Sequence, residues 1–267
     1  MSVSDAKARK SLAHAVDGSG PPLILLHGLS GSGRWWSRNL DAFAAHFRTY
    51  TVDLPGFGDN RAVRWSRLDD TAGWLTAWMD DEGLERANIA GHSLGGAVAA
   101  RLASRRPDRI ERLVLVDAAI RPHGMRAVAR MVDVVKTISQ HSPGFAPLYL
   151  RDLLRSHPWS ATVATFDALL AEWEPHLSQI TAPTLIVWGE HDPITPIALG
   201  HGIAATISDA RLVTMPRAGH NPMWECAEAF NDEVLQFLGT GPSNLSPTSE
   251  PAASFVRTSP DHGRVAP

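Results

Sequence analysis

The chain of 267 residues carries 25 Lys and Arg against 28 Asp and Glu, a formal net charge of −3, and is 44% hydrophobic and 20% charged. That balance excludes a basic grip on nucleic acid or anionic lipid, and the length suits one large α/β domain with room for an insertion. The single cysteine, Cys226, excludes an internal disulfide framework.

The N-terminal stretch MSVSDAKARKSLAHAVDGSG has no apolar h-region, and no later apolar run is long enough to span a bilayer. The expectation is a soluble cytoplasmic protein with no membrane or nucleic-acid partner. Residues 23–27 (LILLH) follow a turn-rich DGSGPP and read as a buried strand. Residues 49–54 (TYTVDL) predict a second strand, stopped at Pro55 and Gly56. Leu75, Trp78 and Met79 at helical spacing predict a helix over 69–81. Residues 87–90 (ANIA) read as a short strand. A helix rich in small residues follows from Leu94 to Arg105, broken by Pro107. Strands are predicted over 113–116, 184–188 and 211–215, and an amphipathic helix over 225–238. Short apolar runs alternating with amphipathic stretches predict an α/β fold, a mostly parallel central sheet flanked by helices.

Residues 121–180 break that rhythm. Pro143, Pro147, Pro158 and Pro175 punctuate what reads as several helices with no strand between them. The reading is a helical cap inserted into a core of residues 1–120 and 181–238; the bland alternative is surface elaboration. From residue 239 the chain is rich in Pro, Ser, Thr and Gly. It has too few large apolar residues to offset its ordering entropy, so 239–267 is read as a disordered tail.

Gly91-His92-Ser93-Leu94-Gly95 matches G-x-S-x-G between a predicted strand and a predicted helix. In that context the serine sits on a tight turn that exposes its hydroxyl, and the flanking glycines remove side chains that would collide. The turn also puts the Leu94 N–H at a helix N-terminus, where it can donate to an oxyanion. The alternative is a Gly-rich turn with a solvated serine.

With this run the chain resembles the serine-nucleophile branch of the α/β-hydrolase superfamily, of the type of small carboxylesterases and lipases. The resemblance rests on His27-Gly28-Leu29, residues 53–58 (DLPGFG), GHSLGG, residues 189–193 (GEHDP) and Ala218-Gly219-His220, in that order, over most of residues 12 to 238. It implies the chain order serine, acid, histidine. His220, chosen by position among 12 histidines, is then the general base and later general acid. Asp192 is the orienting acid, with Glu190 and Asp117 as rivals. The resemblance also makes the Leu29 N–H the partner of Leu94 in an oxyanion hole. His27 and His92 read as structural, and residues 53–58 as a turn that shapes the site, with Phe57 either core or substrate contact. The Ser30-Gly31-Ser32-Gly33 run lacks the Lys-Ser/Thr ending of a phosphate loop.

Trp35, Trp36, Trp159, Met223 and Trp224 are candidate substrate contacts, with Phe145, Tyr149, Phe166 and Trp173 adding aromatic character to the insertion. Core packing is the competing explanation for each. No metal site is expected, since there is no H-E-x-x-H and one cysteine gives no zinc cluster. Triad chemistry needs no cofactor. The expected function is hydrolysis of a carboxylic ester, lactone or thioester of a small, largely apolar molecule through an acyl-enzyme. Carbon–carbon bond hydrolysis or cofactor-free perhydrolysis on the same triad is the alternative, and a non-catalytic ligand receptor a third reading.

Overall fold

The computed structural model describes residues 12, 14–121 and 144–239. The first part of the insertion, 122–143, and the tail from 240 onward lie outside the described residues.

Seven strands form one sheet: β1 (His14–Asp17), β2 (Pro22–Leu26), β3 (Arg48–Val52), β4 (Ala87–His92), β5 (Ile110–Val116), β6 (Thr184–Gly189) and β7 (Ala210–Met215). Their order is β1-β3-β2-β4-β5-β6-β7, and every neighbouring pair is parallel except β1 with β3. The chain winds outward from β2 to β3 and in the opposite direction from β4 onward. A crevice therefore opens between the carboxyl ends of β2 and β4, where open α/β sheets bind their ligands. The edge strand β1 escapes sequence reading because it is short and mostly exposed, with no apolar run.

The period-2 alternation of the strands sorts their side chains onto two faces. Ile24, Leu26, Ile89, Leu113, Leu115 and Ile186 face one cluster; Leu23, Leu25, Ala90, Val114, Val116 and Leu185 face the other. Helices α2 (Leu68–Asp81), α3 (Leu94–Arg105) and α7 (Ile197–Thr206) cover the first face, with Leu75, Trp78, Leu102 and Ile203 buried there. Helices α1 (Leu40–Ala44), α8 (Pro222–Glu225) and α9 (Ala227–Leu238) cover the second through Phe43, Met223, Phe230 and Val234. Each such side chain contributes roughly 1.5–3 kcal/mol when fully buried, so the sheet is held from both sides. The helix predicted over 225–238 starts later, because Cys226 leaves helical geometry at φ −127°, ψ 44° and separates α8 from α9.

The described part of the insertion is helical: α4 (Ala146–Arg155), α5 (Pro158–Leu170) and α6 (Glu174–Leu177). Its last portion joins the main core through Trp173, Leu177 and Ile180, and the Arg101 guanidinium stacks 4.8 Å above the Trp173 ring. Helix α5 is tied to the start of α2, where Ser160 Oγ accepts the Trp65 N–H at 3.1 Å and the Asp167 carboxylate accepts the Leu68 N–H.

Candidate active site

Ser93 ends β4 and begins α3. Its backbone sits at φ 50°, ψ −112°, a region that costs a non-glycine residue about 1–3 kcal/mol and persists only under external restraint. The restraint is visible on both sides: Ser93 N–H donates to Val116 C=O at 2.9 Å, and Ser93 C=O accepts from Ala119 at 2.9 Å and Ala97 at 3.1 Å. The flanking glycines are required by crowding. A Cβ on Gly91 would lie 2.4 Å from the Gly95 carbonyl oxygen, and one on Gly95 would lie 2.6 Å from the carbonyl oxygens of Leu26 and His27.

His220 lies in the loop after β7 and Asp192 in the loop after β6, the neighbouring strand. The Ser93 hydroxyl is 3.1 Å from His220 Nε2, and His220 Nδ1 is 2.7 Å from Asp192 Oδ2. All three side chains are buried save for a sliver of surface. Asp192 is itself held: Oδ1 accepts the N–H groups of Ile194 at 2.7 Å and Thr195 at 3.0 Å, and Oδ2 accepts the Thr195 hydroxyl at 2.5 Å. Burial pushes its carboxyl up, but the His220 charge and these hydrogen bonds outweigh burial and hold it below the ordinary carboxylate value. Asp192 therefore stays charged, and its hydrogen bond fixes His220 with Nδ1 protonated and Nε2 free to take the serine proton.

Among the described residues, the carboxylate hydrogen-bonded to His220 is that of Asp192 and not that of either rival acid. Glu190 is exposed. Asp117 is fully buried at the end of β5, where its Oδ1 accepts the Gly189 N–H at 2.9 Å. Burial, and then the neighbouring Asp192 charge, push its carboxyl well above the usual range.

Leu29 follows β2 and Leu94 opens α3 after β4, so both residues lie at the carboxyl ends of two neighbouring strands. The Leu94 N–H, first in its helix, has no intrahelical acceptor. His27 crosslinks the ends of β2 and β3: its Nε2 accepts the Leu54 N–H at 2.9 Å and its Nδ1 lies 2.7 Å from the Gly28 carbonyl. In the 53–58 turn, Asp53 accepts from Gly33 N–H at 2.7 Å and Asp59 N–H at 2.8 Å, and Phe57 is buried edge-on to His27.

The candidate substrate contacts separate. Trp35 lies beside the elbow, its ring 5.8 Å from that of His92. Trp36 is fully buried against Phe230, and Met223 is fully buried in the same cluster. Neither has surface left to offer a ligand. Trp224 is sandwiched between Phe145 at 5.2 Å and the Arg38 guanidinium at 4.4 Å. Trp159 is 61% exposed and lines a separate groove of about 700 Å³ with Arg101, Asp69, Val163 and Phe166, which none of Ser93, Asp192 and His220 borders. Helical position decides this: Trp159, Val163 and Phe166 share one face of α5, and that face lines this groove.

His92, Asp117 and His220 bring potential metal-ligand atoms within 4.8 Å of one another. Both His220 nitrogens, however, are engaged by Ser93 and Asp192, and His92 Nε2 by a carbonyl. The arrangement suits proton transfer. Thr195 is the partner that sequence reading missed. The signal was available, because an Asp that accepts the N–H groups two and three residues on is a recurrent Asx turn, and the chain here reads Asp-Pro-Ile-Thr.

A sequence model of the alpha/beta hydrolase family matches residues 23–233. The chain is similar to a 2-hydroxy-6-oxo-6-phenylhexa-2,4-dienoate hydrolase of Burkholderia cepacia, 30% identical over 259 residues that cover 84% of this chain and 90% of that one. It is also similar to a pimeloyl-(acyl-carrier protein) methyl ester esterase of Nitrosomonas europaea, 30% identical over 242 residues, 80% of this chain and 94% of that one. Among solved structures, the enol-lactonase of Burkholderia xenovorans superposes with a TM-score of 0.74 at 26% identity, covering 85% of this chain and 95% of that one.

Proposed function

The chain belongs to the alpha/beta hydrolase family, and from that premise we propose that it hydrolyses a carboxylic ester of a small, largely apolar molecule through an acyl-enzyme on Ser93. The observation that carries this reading is the relay Ser93–His220–Asp192, at 3.1 and 2.7 Å, on a strained strand-to-helix turn. His220 Nε2 takes the Ser93 proton as Oγ attacks the carbonyl carbon. The Leu29 and Leu94 N–H groups stabilise the resulting oxyanion. The tetrahedral intermediate collapses as His220 passes the proton to the leaving alkoxide. Water, deprotonated by His220, then releases the acid and restores Ser93.

The methyl ester esterase and the enol-lactonase among the similar proteins support an oxygen leaving group. A second reading has its own support. The ketone carbon of a 2-hydroxy-6-oxo-6-phenylhexa-2,4-dienoate bears only carbon neighbours, so its hydrolysis breaks a carbon–carbon bond, and the chain is 30% identical to a hydrolase of that name. Turnover of p-nitrophenyl acetate and butyrate, of a methyl ester series and of that dienoate, with Ser93→Ala beside the parent, tests both. Ser93-dependent ester turnover exceeding dienoate cleavage is expected. The reverse order assigns carbon–carbon cleavage, and turnover surviving Ser93→Ala removes the serine mechanism.

A further inference from the structure

A buried carboxylate from the insertion reaches the loop that carries Leu29. Asp152, on α4, is 1% exposed, and its Oδ2 accepts the Ser32 hydroxyl at 2.6 Å and the Trp35 indole N–H at 3.0 Å. One turn on, the Ser156 hydroxyl lies 2.9 Å from the Asp152 carbonyl and 3.3 Å from the Ser30 carbonyl, and the His157 N–H donates to Gly56 C=O at 3.0 Å. These contacts surround a strained point. Ser30, the residue after Leu29, stands at φ 59°, a left-handed conformation that a serine keeps only where its neighbours over-determine it. The loop has further anchors at Gly31 N–H to Gly28 C=O, 3.1 Å, and at Gly33 N–H to Asp53, 2.7 Å. The indole that Asp152 fixes packs against the rings of His27 and His92, at 6.4 and 5.8 Å, on either side of the crevice.

We infer that Asp152 is a positioning residue for the oxyanion hole: from the insertion it holds Ser32 and Trp35, and through them aims the Leu29 N–H at the carbonyl that Ser93 attacks. The inference rests on the serine-hydrolase reading above. Two donors meeting on one carboxylate oxygen in a buried site are charge-assisted hydrogen bonds, stiffer than neutral ones. An oxyanion donor acts only if it is in place before charge develops, so stiffness in this loop is felt in the transition state rather than in ground-state binding. The insertion then does more than roof the crevice, because part of the catalytic geometry hangs from it.

The experiment uses the full chain with Asp152→Asn, Asp152→Ala, Ser32→Ala and Trp35→Phe. It measures kcat and KM on p-nitrophenyl butyrate, with kcat expressed per site titrated by a fluorophosphonate so that misfolded protein drops out. It also measures inhibition by phenylboronic acid, whose tetrahedral adduct occupies the oxyanion hole. Asp152→Ala is expected to lower kcat about 10- to 100-fold with KM within about threefold. Boronate affinity should fall in parallel with kcat/KM. Asp152→Asn, which keeps one acceptor oxygen and the shape, should lose less. Ser32→Ala should lose less again and add little to Asp152→Ala. Ser32→Ala and Trp35→Phe remove one hydrogen bond each without leaving a cavity at Asp152, so they serve if Asp152→Ala does not fold. Ser93-dependent turnover with kcat per titrated site within twofold of the parent in Asp152→Asn, Ser32→Ala and Trp35→Phe overturns the role of Asp152 alone. So do losses confined to KM. Parent turnover that survives Ser93→Ala instead sinks the serine-hydrolase reading.

Discussion

The ring of His92 holds the backbone of His220: Nε2 of the elbow histidine donates to the His220 carbonyl at 2.7 Å, with the two rings 4.9 Å apart. The residue beside Ser93 thus ties down the loop that carries His220. To donate there His92 must carry its proton on Nε2, and its buried Nδ1 has no hydrogen-bond partner among the described residues. Burial, and then repulsion from His220, hold its pKa well below the ordinary histidine value, against a smaller opposing pull from Asp192; His27 adds a further small repulsion. The folded protein therefore refuses a proton that the unfolded chain takes up near pH 6.5. Stability from this group is present above that pH and is lost as pH falls below it. Thermal melts from pH 7.5 to 5 are expected to fall, and His92→Gln, which keeps an amide donor for the carbonyl but cannot titrate, should fall less steeply. Parallel slopes for the two proteins would contradict the neutral assignment.

Asp117 carries the opposite sign. Its Oδ2 finds no donor among the described residues, and its neighbour is the Asp192 carboxylate. Two carboxylates in contact hold together only with a proton between them, and Asp192 is the one kept charged by His220. Asp117 is then the neutral acid. Above about pH 3.9 the unfolded chain releases a proton that the folded chain retains, so stability declines as pH rises toward the raised folded value. Asp117→Asn reproduces the neutral acid, with an oxygen for the Gly189 N–H and an amide donor for Asp192, but has nothing to ionise. It should be more stable than the parent at pH 7, the gain growing as pH rises above about 4, levelling off at the raised folded value and vanishing below about pH 4. Ester turnover should stay within a fewfold. An Asn variant less stable than the parent at pH 7 would mean that Asp117 is charged in the fold.

Much of this was legible in the sequence, for identifiable reasons. Continuous apolar runs such as LILLH and TLIVW announce strands buried on both faces, and G-x-S-x-G between a strand and a helix announces a strained turn. The edge strand His14–Asp17 was not legible, since a four-residue exposed strand has no burial pattern to read. Helix Ile197–Thr206 was also missed; its IALGHGIAAT is apolar almost all round and shows no face. Residue type misled at Trp36 and Met223, because apolar character alone does not separate a core side chain from one that lines a pocket. Asp152 was beyond sequence reading altogether, as its partner Ser32 is 120 positions away.

The glycines provide a contrast that separates crowding from flexibility. A Cβ on Gly95 would strike the carbonyl oxygens of Leu26 and His27 at 2.6 Å, and those atoms lead directly into the Leu29 loop. Gly95→Ala is expected to cost about 1–3 kcal/mol by overpacking and to depress kcat with it. Gly73, exposed in the middle of α2, has nothing within 4 Å of the same position. Gly73→Ala should gain about 0.5–1 kcal/mol through helix propensity and leave kcat unchanged. Denaturant melts and initial rates on both variants check the pair; equal effects would mean the elbow has slack that the distances deny.

The hydroxyl of Thr195 matters because of what it does to Asp192. It is the 2.5 Å donor to the same oxygen, Oδ2, that faces His220 Nδ1, and it lies 3.4 Å from that nitrogen. Removing it leaves a nearly fully buried carboxylate one hydrogen bond short, so burial regains ground and the Asp192 pKa moves back toward the ordinary value. A less firmly charged acid orients His220 less well and stabilises the imidazolium less. Thr195→Val is expected to reduce kcat/KM roughly tenfold, equivalent to about 1.4 kcal/mol. Asp192→Asn, which offers His220 the wrong tautomer partner, should lose about 10³–10⁴. Stability follows the same shift. A depressed folded pKa contributes above the unfolded value and is lost as pH falls through the folded one, so Thr195→Val should be less stable than the parent at pH 7 and converge with it as pH falls through the depressed folded value. Activity loss without that convergence would place the role of Thr195 outside Asp192. The hydroxyl's 3.3 Å approach to the Asp117 carbonyl is the contact to examine in that case.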